Sequence, residues 1–347
     1  MVYMVCDCLK GDESIFAVEA NGGTGKTYCI STIAAILRSK GNIVLLMAIT
    51  ASAATFFDRG RTAHYKLKIP IKVNETTTCN IKAKSATAKI IERAKLIVID
   101  EYTMGNKHLY ETIDRSLRDL LNVDLPYGGK IVLHSGDWKQ NLPVVRGGSR
   151  ADIVEATLKS SYLWDFMKLF KLTVNVRIQN AKSEDAEEYN KYLIDVGQGR
   201  IEIDPEIQDS MIKIPDKMKS ASETFEQFTR EIFPDLGNKV KTAWKERDLR
   251  GPTWNQYVHD RVIICPRNQD VEEINNICLD MMYGEPVEFL SADRCIQEAN
   301  EVSFPPEFLN RQTPPGTANH RIVLKVGCPI MLMRNLDPLN GHVNGAQ

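Results

Sequence analysis

The stretch that decides the fold reads Ala20-Asn21-Gly22-Gly23-Thr24-Gly25-Lys26-Thr27. It follows an apolar run at residues 15–18 and precedes residues 28–37, whose apolar positions recur at helical spacing. The local order is therefore strand, glycine loop, helix. This order suits a phosphate-binding loop, because glycines let backbone N–H groups turn inward and a helix N-terminus carries partial positive charge.

The loop follows the pattern G-x-x-x-x-G-K-[ST] except at its first position, which is Ala20. If that position needs a positive φ, alanine would strain the loop. Lys26 can reach the β and γ oxygens of a polyphosphate, and the Thr27 hydroxyl can ligate Mg²⁺. The residues expected to bind the nucleotide are Gly22, Gly23, Thr24, Gly25, Lys26 and Thr27.

A second motif comes where the apolar residues 96–99 run directly into Asp100 and Glu101. This order places both carboxylates at the C-terminal edge of a strand, where α/β sheets bind ligands. With the glycine loop it forms a Walker B arrangement. We expect Asp100 to hold Mg²⁺ through the ion's water ligands and Glu101 to activate the attacking water.

Other segments complete the expected first lobe. Residues 43–50 are apolar throughout, as in a parallel strand covered on both faces, and residues 107–121 read as a helix. A strand at residues 130–134 is followed by a Gly-Asp turn and Gln140, whose amide can bond either the γ-phosphate or the water. Residues 170–177 read as a strand that ends in Arg177. That arginine could reach transition-state charge, or it could form an ordinary surface salt bridge.

Residues 59–95 carry ten Lys or Arg against two Glu. His64, Tyr65, Lys66 and Lys68 lie together within this segment. Cations that follow phosphates and rings that stack on bases make it a candidate contact for single-stranded DNA. A solvated basic surface explains the same charges equally well.

Composition limits the class of protein. The chain has 347 residues, of which 43% are apolar and 26% charged, with a net charge of −1. Any nucleic-acid site must therefore be a local patch rather than a basic surface. The eight cysteines lack paired C-x-x-C spacing, and we find no signal peptide or membrane span, so we expect an intracellular protein with reduced thiols.

The second half of the chain differs from the first. Residues 182–235 are acidic and helix-rich, so we place a domain boundary near residue 180, with lobes at 1–178 and 179–347. Residues 261–268 read as a strand ending in a turn, and residues 270–282 as an amphipathic helix, which predicts a second α/β unit. Residues 322–327 and 329–333 read as short strands of a small β element.

These motifs, in this order, resemble the PIF family of 5′-to-3′ DNA helicases, especially members related to Helitron transposons. The similarity covers nearly the whole chain, from Phe16 to about Gly345. The blocks that carry it are residues 22–27, 60–64, 68–70, 100–101, 136–144, 149–153, 161–164, 172–177, 290–293, 324–329, 334–338 and 344–345.

The resemblance implies an α/β protein, a P-loop NTPase with two RecA-like lobes, in which ATP and Mg²⁺ serve translocation on single-stranded DNA and unwinding at duplex junctions. Lys26, Glu101, Gln140 and Arg177 would be catalytic. The residues assigned to DNA are His64, Tyr65, Lys66, Lys68 and Asn268. Family membership also implies roles in DNA repair, recombination and telomere maintenance. We further expect a monomer and a nuclear location, with the mitochondrion as the alternative.

Some features depart from the family pattern. Residues 1–14 lack the glutamine of the usual adenine-binding segment, and nothing after Asn344-Gly345 matches the last two family motifs, so we expect an incomplete second lobe. Two hypotheses follow: a truncated helicase, or a transposon-derived remnant that binds nucleotide or DNA without unwinding. A P-loop kinase or a small GTPase is disfavoured, because no phosphate-acceptor site or guanine-reading motif is recognisable.

Overall fold

The computed structural model describes residues 15–201, 211–246, 249, 251–294, 305–312, 317–334, 336–337 and 342. The chain divides into two compact units, Met1–Ile212 and Lys213–Gln347. Each unit contains its own cluster of buried apolar side chains. No helix among the described residues is long and apolar enough to cross a membrane.

The first unit is built on a six-stranded sheet in the order β3-β2-β4-β5-β1-β6, with every strand pair parallel. Its strands are β1 Ile15–Ala20, β2 Ile43–Ala48, β3 Arg61–Thr62, β4 Ala94–Asp100, β5 Ile131–Gly136 and β6 Lys168–Leu172. Its helices are α1 Lys26–Ser39, α2 Ala51–Thr55, α3 Ala63–Leu67, α4 Ala86–Arg93, α5 Lys107–Leu121, α6 Arg150–Glu155, α7 Val176–Ala181 and α8 Glu184–Gly197. Short 3₁₀ turns lie at Tyr102–Met104, Pro126–Gly129, Leu158–Ser160 and Tyr162–Phe166.

The central strands are apolar throughout because both faces of the sheet are covered. In β4, Ile97 and Ile99 join one buried cluster, whereas Leu96 and Val98 join the cluster on the opposite face. A strand buried on both sides reads as a continuous apolar run rather than as an alternating one. This explains why the sequence predicted these strands and also the helix at residues 107–121, which is α5.

The strand predicted at residues 170–177 is shorter than expected. β6 ends at Leu172, and Arg177 lies in the first turn of α7, after a loop. Asn175 caps α7, because its side-chain oxygen accepts a hydrogen bond from the backbone N–H of Ile178 at 3.2 Å. The cap starts a helix where the apolar pattern alone indicated that the strand would continue.

The second unit contains α9 Phe225–Ile232, α10 Leu236–Lys245, α11 Pro252–His259, α12 Asn268–Met281, β7 Val287–Leu290, α13 Pro306–Leu309 and β8 Arg321–Leu324, with a 3₁₀ turn at Asp216–Met218. β7 and β8 pair only with each other within the described part of this unit, as an antiparallel ribbon. β8 overlaps the strand predicted at residues 322–327, but its partner is β7 at Val287–Leu290, which was not predicted. α12 confirms the predicted helix at residues 270–282.

The prediction of a strand at residues 261–268 was wrong. Residues 261–265 belong to no helix or strand, and Val262 and Ile264 are 72% and 87% exposed. A β-strand requires a hydrogen-bonded neighbour, and among the described residues none pairs with this segment. The strand predicted at residues 329–333 is absent from the structure for the same reason.

The predicted lobe boundary, between residues 178 and 179, precedes the division between the two units, which follows residue 212, by 34 residues that include α8. As a division between functional lobes it stays a prediction. The leader at residues 1–14 and the Asn344-Gly345 block lie outside the described residues.

Candidate nucleotide-binding site

The glycine loop joins β1 to α1 at the carboxyl edge of the sheet. Gly23 and Gly25 have φ values of 82° and 80°, in the left-handed region that favours glycine. Ala20 is not among the residues with positive φ; it is the buried last residue of β1. The alanine in the first position of the motif therefore causes no backbone strain.

Gly23 is required for a second reason, which is the close approach of another loop. A Cβ added there would lie 2.5 Å from the Asn175 Oδ1 atom and 3.0 Å from the Arg177 Cβ atom. The Arg177 backbone N–H donates to the Gly23 carbonyl at 3.1 Å. The loop between β6 and α7 is thus held directly against the glycine loop.

Lys26 is the central charge of the site. As the first residue of α1, it places its Nζ atom 2.8 Å from Glu101 Oε1 and 3.0 Å from Asp100 Oδ1. Burial opposes the charge on the ammonium, but the attraction of Asp100 and Glu101 outweighs this and raises the pKa of Lys26 above its ordinary value. The lysine therefore stays charged throughout the physiological pH range.

The two acidic residues are held in place by the sheet. Asp100 ends β4, is 2% exposed, and accepts a hydrogen bond from the hydroxyl of Ser135 on the neighbouring strand β5. Glu101 follows with a φ of 56°, a left-handed conformation that few non-glycine residues adopt. This turn directs the chain away from the strand at the point where the catalytic carboxylate is expected.

The oxygen groups around Lys26 fit a magnesium nucleotide. Thr27 follows Lys26 in α1 and supplies a hydroxyl, and Asp100 supplies a carboxylate. Mg²⁺ is usually bound by one or two such groups together with substrate phosphates rather than by a protein cage. No cluster of three or more His, Cys, Asp or Glu that could hold a metal occurs among the described residues.

The turn after β5 connects the predicted sensor to the glycine loop. The Gln140 Nε2 atom donates to Asp137 Oδ2 at 3.0 Å, and the Gly22 backbone N–H donates to the same oxygen at 3.2 Å. Lys139 adds a hydrogen bond from its Nζ atom to Asn21 Oδ1 at 3.0 Å. Gln140 is therefore placed beside the loop, as its predicted role requires.

Arg177 and the glycine loop meet through backbone atoms, and the Arg177 side chain is exposed. The Asn175 Nδ2 atom donates to the Gly22 carbonyl at 3.1 Å and to Asn190 Oδ1 on α8 at 2.9 Å. The structure thus brings together Lys26, Asp100, Glu101, Gln140 and the backbone of Arg177. A catalytic role for the Arg177 side chain stays a prediction.

The residues assigned to DNA have different environments. The Tyr65 side chain is 60% exposed, and the Lys68 Nζ atom lies 4.5 Å from the centre of its ring. The Lys66 Nζ atom instead donates to the Leu46 carbonyl of β2 at 2.9 Å. Burial, with Arg38 and Arg61 nearby, lowers the pKa of Lys66 to about 8. Lys66 is therefore bound to the protein itself rather than free at the surface.

His64 lies on α3 with Tyr65 and Lys66, and partial burial lowers its pKa. Asn268 is the first residue of α12 in the second unit. For both residues, contact with DNA stays a prediction.

Three residues of the site were not predicted from the sequence as functional. Asp137 accepts a hydrogen bond from the sensor Gln140, Asn175 donates to the glycine loop, and Ser135 donates to Asp100. For Ser135 and Asp137 the sequence did give a signal, because both lie at the end of β5, on the same sheet edge that carries Asp100. The contact of Asn175 with the glycine loop gave no local signal, because it joins residues 153 positions apart.

Comparison with known proteins identifies the family. Residues 3–206, more than half of the chain, match the PIF1-like helicase family. The chain belongs to this family. Residues 307–347 separately match the 2B domain of the DNA helicase Pif1.

The relatives are distant. The ATP-dependent DNA helicase Pif1 of Psychrobacter sp. is 29% identical over 184 residues, which cover 52% of this chain and 28% of that protein. The ATP-dependent DNA helicase PIF1 of Xenopus laevis is 24% identical over 342 residues, covering 98% of this chain and 44% of that protein. The chain thus spans less than half the length of these two relatives.

Among solved structures, Bacteroides Pif1 bound to single-stranded DNA matches with a TM-score of 0.61 and 20% identity, covering 99% of this chain and 67% of that one. At that identity the likeness concerns the fold, and it agrees with the parallel sheet of the first unit.

Proposed function

We propose that this chain is the motor part of an ATP-dependent 5′-to-3′ DNA helicase, in which ATP hydrolysis drives movement along single-stranded DNA and unwinding at duplex junctions. The observation that carries the proposal is the contact of Lys26 with both Asp100 and Glu101 beside a left-handed glycine loop. Membership of the PIF1-like helicase family supports it.

The residues at the sheet edge divide the chemistry between them. The backbone of residues 22–27 and the N-terminus of α1 would bind the phosphates, with Lys26 on the terminal ones. Thr27 and Asp100 would hold Mg²⁺, which neutralises phosphate charge when it is bound. Because Lys26 is then drawn toward the phosphates, its contact with Glu101 weakens and the carboxylate becomes free to accept a proton from water.

Contact with DNA is proposed for the surface around α3. The exposed ring of Tyr65 can stack on a base, and the ammonium of Lys68 can contact a phosphate. Lys66 contributes less, because its ammonium already has a backbone partner. The relative from Bacteroides, solved with single-stranded DNA, supports this choice of ligand.

Cellular context belongs to the same proposal. Family roles suggest a protein of the nucleus or mitochondrion that acts as a monomer in DNA repair, recombination or telomere maintenance. Imaging of the tagged chain and its mass in solution would test location and oligomeric state.

The test of the proposal is ATP hydrolysis with Mg²⁺, measured with and without single-stranded DNA. We expect hydrolysis that Lys26→Ala abolishes, because no other ammonium contacts both Asp100 and Glu101 among the described residues. Lys40→Ala is the matched control: it removes an exposed lysine at the opposite end of the same helix.

Three results are distinguishable. Stimulation of the rate by DNA supports the helicase. Hydrolysis without any response to DNA supports a nucleotide-binding remnant that does not translocate. A wild-type rate equal to that of Lys26→Ala in both conditions contradicts the proposal.

A further inference from the structure

Asp137 lies in the block of residues 136–144 that resembles the family, and its side chain joins the sensor to the glycine loop. It lies directly after β5, is 5% exposed, and has no lysine or arginine partner among the described residues. Its carboxylate instead accepts three hydrogen bonds: Oδ2 from Gly22 N–H and Gln140 Nε2, and Oδ1 from Lys139 N–H at 3.0 Å. Burial of a carboxylate that has no counter-ion destabilises the folded protein unless hydrogen bonds of this kind satisfy its oxygens.

The chemistry of a carboxylate fixes the orientation of Gln140. An ionised carboxylate accepts hydrogen bonds and cannot donate them, so the amide of Gln140 must turn its NH₂ group toward Asp137. The same NH₂ group faces the glycine loop, because the Gln140 Nε2 atom is 3.8 Å from the position that a Cβ on Gly22 would occupy. One N–H is held by Asp137, and the second remains available on the side of the loop.

The main chain keeps this arrangement compact. The Gln140 backbone N–H donates to the Asp137 carbonyl at 3.1 Å, and the Thr103 hydroxyl donates to the same carbonyl at 3.2 Å. The backbone of Asp137 is therefore fixed by two hydrogen bonds, one from Gln140 and one from Thr103, and this fixes the position of its side chain.

We propose that Asp137 is a positioning residue that turns the Gln140 amide nitrogen toward the glycine loop, so that Gln140, whose contact with the terminal phosphate is already expected of the family, meets that phosphate as a hydrogen-bond donor. The inference rests on the proposed function, because it assigns a role within the same site. Its consequence concerns binding: a donor directed at the terminal phosphate favours ATP over ADP before any bond is broken.

The experiment measures the affinities of the full chain for ADP and for a non-hydrolysable ATP analogue by fluorescence titration with Mg²⁺. We expect Gln140→Ala and Asp137→Asn each to reduce the preference for the ATP analogue about tenfold, in keeping with the loss of one charge-assisted hydrogen bond. Asparagine can offer its own NH₂ to the Gln140 oxygen, which turns the amide the other way.

The double variant separates positioning from structural support. If Asp137 acts through Gln140, Asp137→Asn combined with Gln140→Ala has no larger effect than either single change. Asp119→Asn, an exposed aspartate on α5, is the matched control and should preserve the preference. Gln140→Met removes the same donor at a similar side-chain length without adding a charge beside the buried Asp137, and the same loss is expected.

The inference is overturned if Asp137→Asn weakens both nucleotides equally and adds to Gln140→Ala, since that result describes structural support alone. It is also overturned if wild-type protein binds both nucleotides without preference. Neither readout requires hydrolysis or DNA, so failure here is distinguishable from failure of the helicase proposal.

Discussion

At the scale of single residues, the site depends on groups whose charge is controlled by their surroundings. Both lysines are partly buried. Two carboxylates raise the pKa of Lys26, whereas burial beside Arg38 and Arg61 lowers the pKa of Lys66 to about 8. The protein thus stabilises the charged form of Lys26 beside the end of β4 and destabilises the charged form of Lys66 beside β2. The difference comes from the presence or absence of a carboxylate partner.

The environment of Lys66 predicts a pH dependence of stability. Its pKa of about 8 in the folded chain lies below the ordinary 10.5, so between these values the unfolded chain binds more protons. The contribution of Lys66 to the free energy of unfolding therefore rises with pH from about 8 to 10.5, and is lost as pH falls through 8. Denaturant unfolding at a series of pH values should show this rise in wild-type protein and its loss in Lys66→Met.

Lys40→Met removes an exposed lysine and provides the control for Lys66→Met. Equal pH profiles for wild type and Lys66→Met would mean that the Lys66 ammonium is solvated in both the folded and the unfolded chain.

At the scale of elements, the start of α7 connects helix capping to the site. Asn175 caps α7 with its Oδ1 atom, and its Nδ2 atom bonds the Gly22 carbonyl and Asn190. We expect Asn175→Ala to lower the free energy of unfolding by about 1 kcal/mol for the lost cap, with a further loss from the broken contact to the glycine loop. Chemical denaturation of both proteins measures the difference.

Ser183→Ala is the matched comparison, because Ser183 precedes α8 at the equivalent position but makes no side-chain capping bond. If both alanine variants lose the same stability, neither the capping bond of Asn175 nor its contact with the glycine loop stabilises the fold measurably.

The elements also show how far the sequence determines the result. The buried strands β1, β2, β4 and β5 and the helix α5 were predicted, because each has a continuous or periodic apolar pattern within its own segment. The end of β6 and the unpaired residues 261–265 were not, because strand extent depends on distant partners. The site followed the same rule: Lys26, Asp100 and Glu101 lie in local motifs, whereas Asp137 and Gly22 meet across 115 positions.

At the scale of the whole molecule, the two units have cores of very different size. Among the described residues, the first unit buries two large apolar clusters, one on each face of its sheet, whereas the second buries a smaller cluster around Leu236, Val240 and Trp254. Since stability grows with the apolar area that is buried, the first unit should be the more stable one. A chain built in this way need not unfold in a single two-state transition.

We therefore expect two thermal transitions for the full chain, with the second unit unfolding first. A non-hydrolysable ATP analogue with Mg²⁺ should raise the transition of the first unit, because Lys26, Asp100 and Glu101 all belong to that unit. At a hundredfold excess over the dissociation constant, a ligand that binds only the folded form adds about 2.7 kcal/mol to its stability.

Differential scanning calorimetry measures the transitions, and hydrogen exchange followed by mass spectrometry assigns each one to β1 and β4 or to α10–α12. Lys26→Ala is the control, and its upper transition should not respond to the nucleotide. One transition in which both sets of peptides exchange together would show that the two cores unfold cooperatively and would contradict this expectation.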